Sequence, residues 1–208
     1  MKHLLAILVV LSLGLSEGKA EVRFGAGPHT GVSFSSFQTG ISDYYGTGFL
    51  FGAHGDVNIA PFLTTRLSLD YAIFGSDEDK IRQDLATRFG VQASDIMFEG
   101  LNISIFSVYI DGKGKIATGS AITPYGLLGL GLNFISSSES KIVYQGTPQP
   151  QLNSPSASET KFGLNFGAGA EYSTGSVILF MEFKYNLVFT SPGNSSHIPI
   201  VLGATFPF

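Results

Sequence analysis

Between Glu182 and Leu187 every second residue is large and apolar, and the residues between are polar: Glu182-Phe183-Lys184-Tyr185-Asn186-Leu187. Arg66-Leu67-Ser68-Leu69-Asp70-Tyr71-Ala72-Ile73 repeats the alternation, as do residues 163–172 and the run from His54 to Ile59. Successive side chains of a strand point to opposite faces. A period of two therefore predicts strands with one apolar and one polar face. Eight such segments are legible, at about 22–34, 48–60, 64–74, 98–110, 121–135, 161–173, 176–189 and 198–208. Most have the 9–11 residues a tilted strand needs to cross a bilayer.

The links between them alternate in length. Pro61-Phe62 and Ser173-Thr174-Gly175 are short, and Asp111-Gly112-Lys113-Gly114 reads as a tight turn within the link 111–120. The links at 35–47, 75–97, 136–160 and 190–197 are longer and polar. With both termini on one side, the tight links fall together there and the longer ones together opposite. One helical patch stands out in the second long link. Ser76 can cap a helix over Asp77–Phe89, Ile81, Leu85 and Phe89 recur every four residues, and Gly90 can end it. The stretch 136–160 carries Pro148, Pro150 and Pro155 among many Ser, and reads as a mobile exposed loop in which a change at Asn153 is tolerated.

Two features decide which way the faces point. The apolar face carries large residues, among them Phe49, Phe51, Leu67, Leu69, Phe166, Tyr172, Phe183 and Tyr185, while the polar face carries many Gly, including Gly52, Gly129, Gly131, Gly167, Gly169 and Gly203. An eight-stranded barrel is barely wide enough inside for side chains, so small residues belong inside and large ones outside. The charges also share the Gly-bearing face: Arg23, Asp56, Arg66, Asp70, Glu171, Glu182 and Lys184, with His29 and His54 beside them. A charge facing mid-bilayer lipid costs up to ~2–4 kcal/mol. The nearly balanced signs fit pairing in a narrow lumen. The expected fold is all-β, an eight-stranded antiparallel up-and-down transmembrane β-barrel. A soluble lipocalin-like carrier, with its apolar face inward, is the non-membrane rival.

Composition sharpens this reading. Hydrophobic residues make up 44% and charged residues only 13%, with 26 Gly, 18 Phe and no Cys or Trp. Such a charge fraction is about half that of a soluble domain. Without Cys there is no disulfide, catalytic thiol or lipoprotein cysteine. A formal charge of −4 removes a basic nucleic-acid footprint. Lys2 and His3 precede an apolar run from Leu4 to Leu15, and Gly18-Lys19-Ala20 places small residues at −3 and −1 of a cleavage after Ala20. This is the layout of a secretory signal peptide over 1–20, with 21–208 as the barrel domain. Removing Lys2, Lys19 and Glu17 from 12 basic and 16 acidic residues leaves 10 and 15.

The final strand alternates Ile198, Ile200, Leu202, Ala204, Phe206 and Phe208 with smaller residues and stops on Phe. That pattern resembles the signal read by the outer-membrane barrel assembly machinery. Pro124-Tyr125-Gly126-Leu127-Leu128-Gly129-Leu130-Gly131 and residues 167–172 resemble the glycine-spaced strands of the small outer-membrane barrel family that includes OmpX and the OmpA transmembrane domain. The resemblance spans 21–208. It departs from the family in the absence of Trp and of a peptidoglycan-binding domain. It implies a monomer in the outer membrane of a Gram-negative-type bacterium, contacting outer-membrane lipids and lipopolysaccharide, with no cofactor and no nucleic acid.

Three constellations bear on chemistry. His54, Asp56 and Asn58 share a strand face that His29 can join. Two His without a third ligand make a poor zinc site, so a hydrogen-bonded cluster is expected rather than a metal. Arg66, Asp70, Glu171, Glu182 and Lys184 predict a salt-bridge ladder filling the barrel, or alternatively a gated polar plug. Ser195-Ser196-His197 falls at the expected outer rim, where some barrels of this size modify lipid A, but no acidic residue stands near in sequence to complete a triad. The sequons at Asn102 and Asn194 read as incidental. The functional expectation is a non-enzymatic barrel with a structural or surface-interaction role carried by its outer loops. A narrow porin, or less favoured a lipid A-modifying enzyme, is the alternative.

Overall fold

The computed structural model describes residues 23–36, 42–190 and 193–208. The expected signal peptide lies outside them. Eight strands close into an antiparallel barrel: β1 (Arg23–Ser36), β2 (Thr47–Ala60), β3 (Leu63–Phe74), β5 (Ile103–Lys115), β6 (Ile122–Ser137), β9 (Ala157–Ser173), β10 (Ile178–Val188) and β11 (Ser195–Pro207). Each barrel strand pairs with the next one along the chain, and β1 closes the ring against β11, with Gly25 opposite Pro207 and Ser36 opposite Ser196. Closure removes every sheet edge, as lipid demands of a spanning sheet.

The two faces differ as the residue sizes dictate. Phe49, Phe51, Phe166, Phe183, Leu128 and Leu202 are half or more exposed on the outside. Cross-strand rings pair along this outer face, Phe51 with Tyr71 at 5.3 Å and Phe166 with Tyr185 at 5.2 Å. Soluble monomers rarely expose contiguous apolar patches beyond a few hundred Å², so a band running round the whole barrel belongs in lipid. Among the described residues no helix is long and apolar enough to cross a membrane; the crossing is made by strands.

One end of the barrel carries only short, uncharged turns, at 61–62, 116–121 and 174–177. The other end carries a second folded unit. β4 (Ile96–Gly100), β7 (Ser140–Tyr144) and β8 (Thr147–Pro148) form a three-stranded sheet, and α1 (Glu78–Phe89) packs on it. Ala86, Ile96, Phe98 and Ile142 make its core. Asp77 caps α1 by accepting from the Lys80 amide at 3.0 Å, and Gly90 ends it at φ 67°.

Four expectations are corrected here. The segment 98–110 is two strands in two sheets, because Gly100 (φ 101°) and Leu101 (φ 60°) turn the chain between β4 and β5. Only Gly fits at position 100, where a Cβ would collide with the Glu139 carbonyl. Asp111–Gly114 is not a turn but the end of β5, and the turn follows at 116–121. The stretch 136–160 is not a mobile loop. It continues β6, forms β7 and β8, and is pinned by Ser140 N to Ser154 O and Ser154 N to Ser140 Oγ, both 2.9 Å, and by Ile142 N to Asn153 Oδ1 at 3.0 Å. Ser76 does not cap the helix, since its hydroxyl donates to the Gly100 carbonyl at 2.6 Å.

Candidate functional site

The lumen is the first place where the sequence put chemistry. Period two aims alternate residues of every barrel strand inward, and the register sets their height. Asp56 stands opposite Arg66, Gly52 opposite Asp70 and Glu182 opposite Gly169. From the turn end upward the charges alternate in sign. Lys115 lies 3.0 Å from Glu171, which accepts from Lys113 at 2.5 Å, and Lys113 stands 3.6 Å from Asp56. Arg66 donates to Asp56 at 2.6 Å and to Glu182 at 2.5 Å. Lys184 lies 3.9 Å from Glu182 and 3.2 Å from Asp70, and Asp70 meets His29 Nε2 at 2.5 Å. His29 Nδ1 then sits 3.3 Å from His54, whose Nε2 is 2.8 Å from the Thr205 hydroxyl. Lys113, Arg66 and Lys184 each have a carboxylate on either side, which lets so many charges share a narrow interior.

Of the expected lumen residues, His54, Asp56, Arg66, Asp70, Glu171, Glu182 and Lys184 are buried here. Arg23 shares their parity but is exposed at the first position of β1. The sequence reading missed Asp111, Lys113 and Lys115 because it placed the first two in a turn and the third in the rest of that link. Their alternation with Gly112 and Gly114 was the available signal. Asp111 accepts from Ser68 at 3.1 Å and stands outside the chain of pairs. Also missed were the inward rings of Tyr109, Tyr125 and Phe180, since size alone sorts aromatics outward. Glycines make room for all three: a Cβ at 203 would strike the Phe180 ring, one at 169 the Tyr125 ring and one at 131 the Tyr109 ring. Phe180 lies against the Arg66 guanidinium at 4.6 Å, and Tyr125 against the Lys113 ammonium at 4.3 Å. Among the described residues no group of three His, Cys, Asp or Glu could hold a metal.

Ser195–His197 does not sit in a rim loop. It begins β11, with Ser196 and His197 buried. The nearest hydroxyl to His197 Nδ1 belongs to Ser33, at 2.9 Å, and Asn186 Nδ2 lies 3.2 Å from Nε2. Ser33 is wholly buried. Phe74 stacks edge-on against His197, and with Tyr45, Leu50 and Ile105 it forms the apolar layer at this end of the lumen.

The outer unit is the second candidate. The described parts of its links, 42–46, 75–102, 138–156, 189–190 and 193–194, hold eight acidic residues against four basic ones. The first loop is strapped to the second: Tyr44 O accepts from Asp77 N at 2.7 Å, Tyr45 OH donates to the Leu101 carbonyl at 2.6 Å, and Tyr44 OH donates to Asp84 of α1. The bond to the Asp84 carboxylate raises the Tyr44 phenol above its ordinary pKa. Burial pushes Tyr45 up to about 12.

The family model for the outer membrane protein beta-barrel domain matches residues 4–197. The chain belongs to that family. Its fold is similar to that of Neisserial surface protein A, at TM-score 0.56 and 17% identity over 89% of this chain and 97% of that one. A major outer membrane protein from Thermus thermophilus gives TM-score 0.53 and 15% identity over 89% of this chain and 99% of that one. No curated protein matches by sequence. Membership fixes the solvent of the apolar band as the outer-membrane bilayer and makes this a transmembrane barrel. At these identities the neighbours speak for the fold alone, so the chemistry has to come from the lumen and the outer unit.

Proposed function

We propose that the protein is a non-enzymatic integral outer-membrane barrel whose folded outer unit makes contact with a molecule outside the cell. One observation carries the reading: two of the four outer links leave the barrel to build a helix-on-sheet unit with its own core, and a third is strapped to it through Tyr44. Loops with nothing to present have no need of that order. The ion-pair ladder below acts as structural filling, because paired charges and rings occupy the centre of the lumen. The Ser33–His197 contact serves packing, since neither group meets solvent. Residues 1–20 direct export, Phe206 and Phe208 serve as the assembly signal, and the barrel works as a monomer among lipopolysaccharide and other outer-membrane lipids.

Reconstitution into planar bilayers tests this. The refolded chain is expected to give conductance near background. Steady conductance that changes its ion selectivity in Lys184→Ala would overturn the reading and make the protein a narrow porin.

A further inference from the structure

Between α1 and the outer sheet the side chains leave a cleft unfilled. One part has a volume of about 210 Å³ and is walled almost wholly by carbon, from residues such as Leu85, Phe89, Ile96, Ile142 and Leu152. Leu85, Ile142 and Leu152 also bound a larger space of about 520 Å³, which adds Tyr44, Asp84, Arg88 and Ser154. The two spaces share those three walls, the smaller lined almost wholly by apolar residues and the larger by apolar and polar ones together.

The packing around it is incomplete for a finished core. Of α1 only Ala86 is buried among the described residues, while Phe89 remains 55% exposed and Leu152 41% exposed at the mouth. Burying a side chain of that size stabilises a fold, and two left half exposed leave that stabilisation unrealised. An apolar cavity of about 150 Å³ takes up benzene, so the smaller, apolar space has room for a ring or a short alkyl chain. The volume of the larger space falls within the ~300–1,000 Å³ of small-molecule sites. Charge around the larger space selects the head group. Asp84 faces the cleft, Asp43 acts on the adjoining Tyr44 phenol, and Arg88 offsets one of the two. The surrounding loops are acidic by four charges, eight against four.

We infer that this cleft binds a small single-tailed amphiphile with a cationic head, its tail between α1 and the outer sheet and its head beside Asp84. The inference rests on the outer unit being the contact surface, and it specifies what that surface takes. The probe is octyltrimethylammonium, titrated calorimetrically against the refolded chain in phospholipid nanodiscs, with empty discs subtracted. Saturable binding is expected. It should weaken about tenfold in Leu152→Trp, which fills the cleft, and severalfold in Phe89→Ala, which removes its rim. Octanoate, the same tail with an anionic head, should bind about tenfold more weakly than the cation. Amide exchange at Ile142 reports that each variant keeps its outer unit. Uptake no greater than in empty discs overturns the inference, as does equal binding by wild type and both variants, or a preference for octanoate. A silent titration with a non-conducting barrel leaves the surface-contact reading standing. A conducting barrel removes that reading whatever the titration gives.

Discussion

β10 and β4 obey the same alternation and face opposite worlds. In β10, Glu182 and Lys184 are buried inside the lumen while Met181 and Phe183 are 57% and 54% exposed to the bilayer. In β4, Ile96 and Phe98 are buried against α1 and Ile142, while Met97 and Glu99 point out. The barrel is polar within and apolar without, and the outer unit is built the ordinary way round. The difference teaches that period two reports a two-faced sheet and nothing about which face meets which solvent. That assignment comes from size and charge: Gly and paired ions mark the barrel interior, whereas branched and aromatic residues mark the interior of the outer unit.

The largest effect should come from the barrel's polar core. Lys184 is buried between Asp70 and Glu182, so Lys184→Ala removes the cation that links the two carboxylates in a water-poor interior. Removing one member of a buried pair typically costs ~3–5 kcal/mol, and the urea midpoint of the refolded barrel should fall accordingly. Arg82→Ala in the outer unit breaks an exposed pair with Asp79, where the expected loss is under ~1 kcal/mol. Similar losses for the two variants would mean that the lumen is wet.

Next in size is the outward face. Phe166, 52% exposed beside Tyr185, sits within β9. Phe166→Arg should cost ~2–4 kcal/mol at mid-membrane depth, read as folding yield into lipid vesicles. Met97→Arg, also on an exposed apolar residue (58%) but in the outer unit, should leave the yield unchanged. Equal yields for the two would contradict the assignment of the barrel's outer face to lipid.

The barrel was legible because its signal is redundant: alternation, residue size, charge parity and link length all point to one answer. Seven of the lumen residues could be read from parity alone, yet Asp111 and Lys113 were lost to the turn chemistry that Asp-Gly-Lys-Gly mimics. In β5 the glycines lie within the strand, and the turn is made by 116–121 instead. The outer unit was largely illegible. Its strands are two to five residues long, too short to establish a period. Its Pro and Ser residues look like disorder unless one sees that Asn153 and Ser154 supply bonds to β7. Tertiary contacts, not local pattern, make it fold.

Asn153 turns that lesson into a measurement of about 1 kcal/mol. The Asn153 side chain accepts from the Ile142 amide at 3.0 Å, and a hydrogen bond of this kind contributes ~0.5–1.5 kcal/mol. Asn153→Ala should speed amide exchange across β7 while the barrel strands exchange as before. Acceleration in both regions would join the outer unit to the barrel as one cooperative body.

The last comparison probes the seam between the two regions. Tyr45 is buried against Leu50, Phe74 and Ile105 at the mouth of the barrel, and its hydroxyl donates to the Leu101 carbonyl at the start of the outer unit. Burial raises its pKa from 10.0 to about 12. The folded state thus holds the phenol proton more tightly than the unfolded chain. The resulting stabilisation is fully present below pH 10 and is lost as pH rises through about 12. Phenolate absorbance followed across that window, wild type against Tyr45→Phe, should differ by one group titrating near 12. If the difference instead titrates near 10, the phenol is already in water. The outer unit would then ride loosely on the barrel, held by the first loop's bonds to α1 and not by a sealed apolar seam.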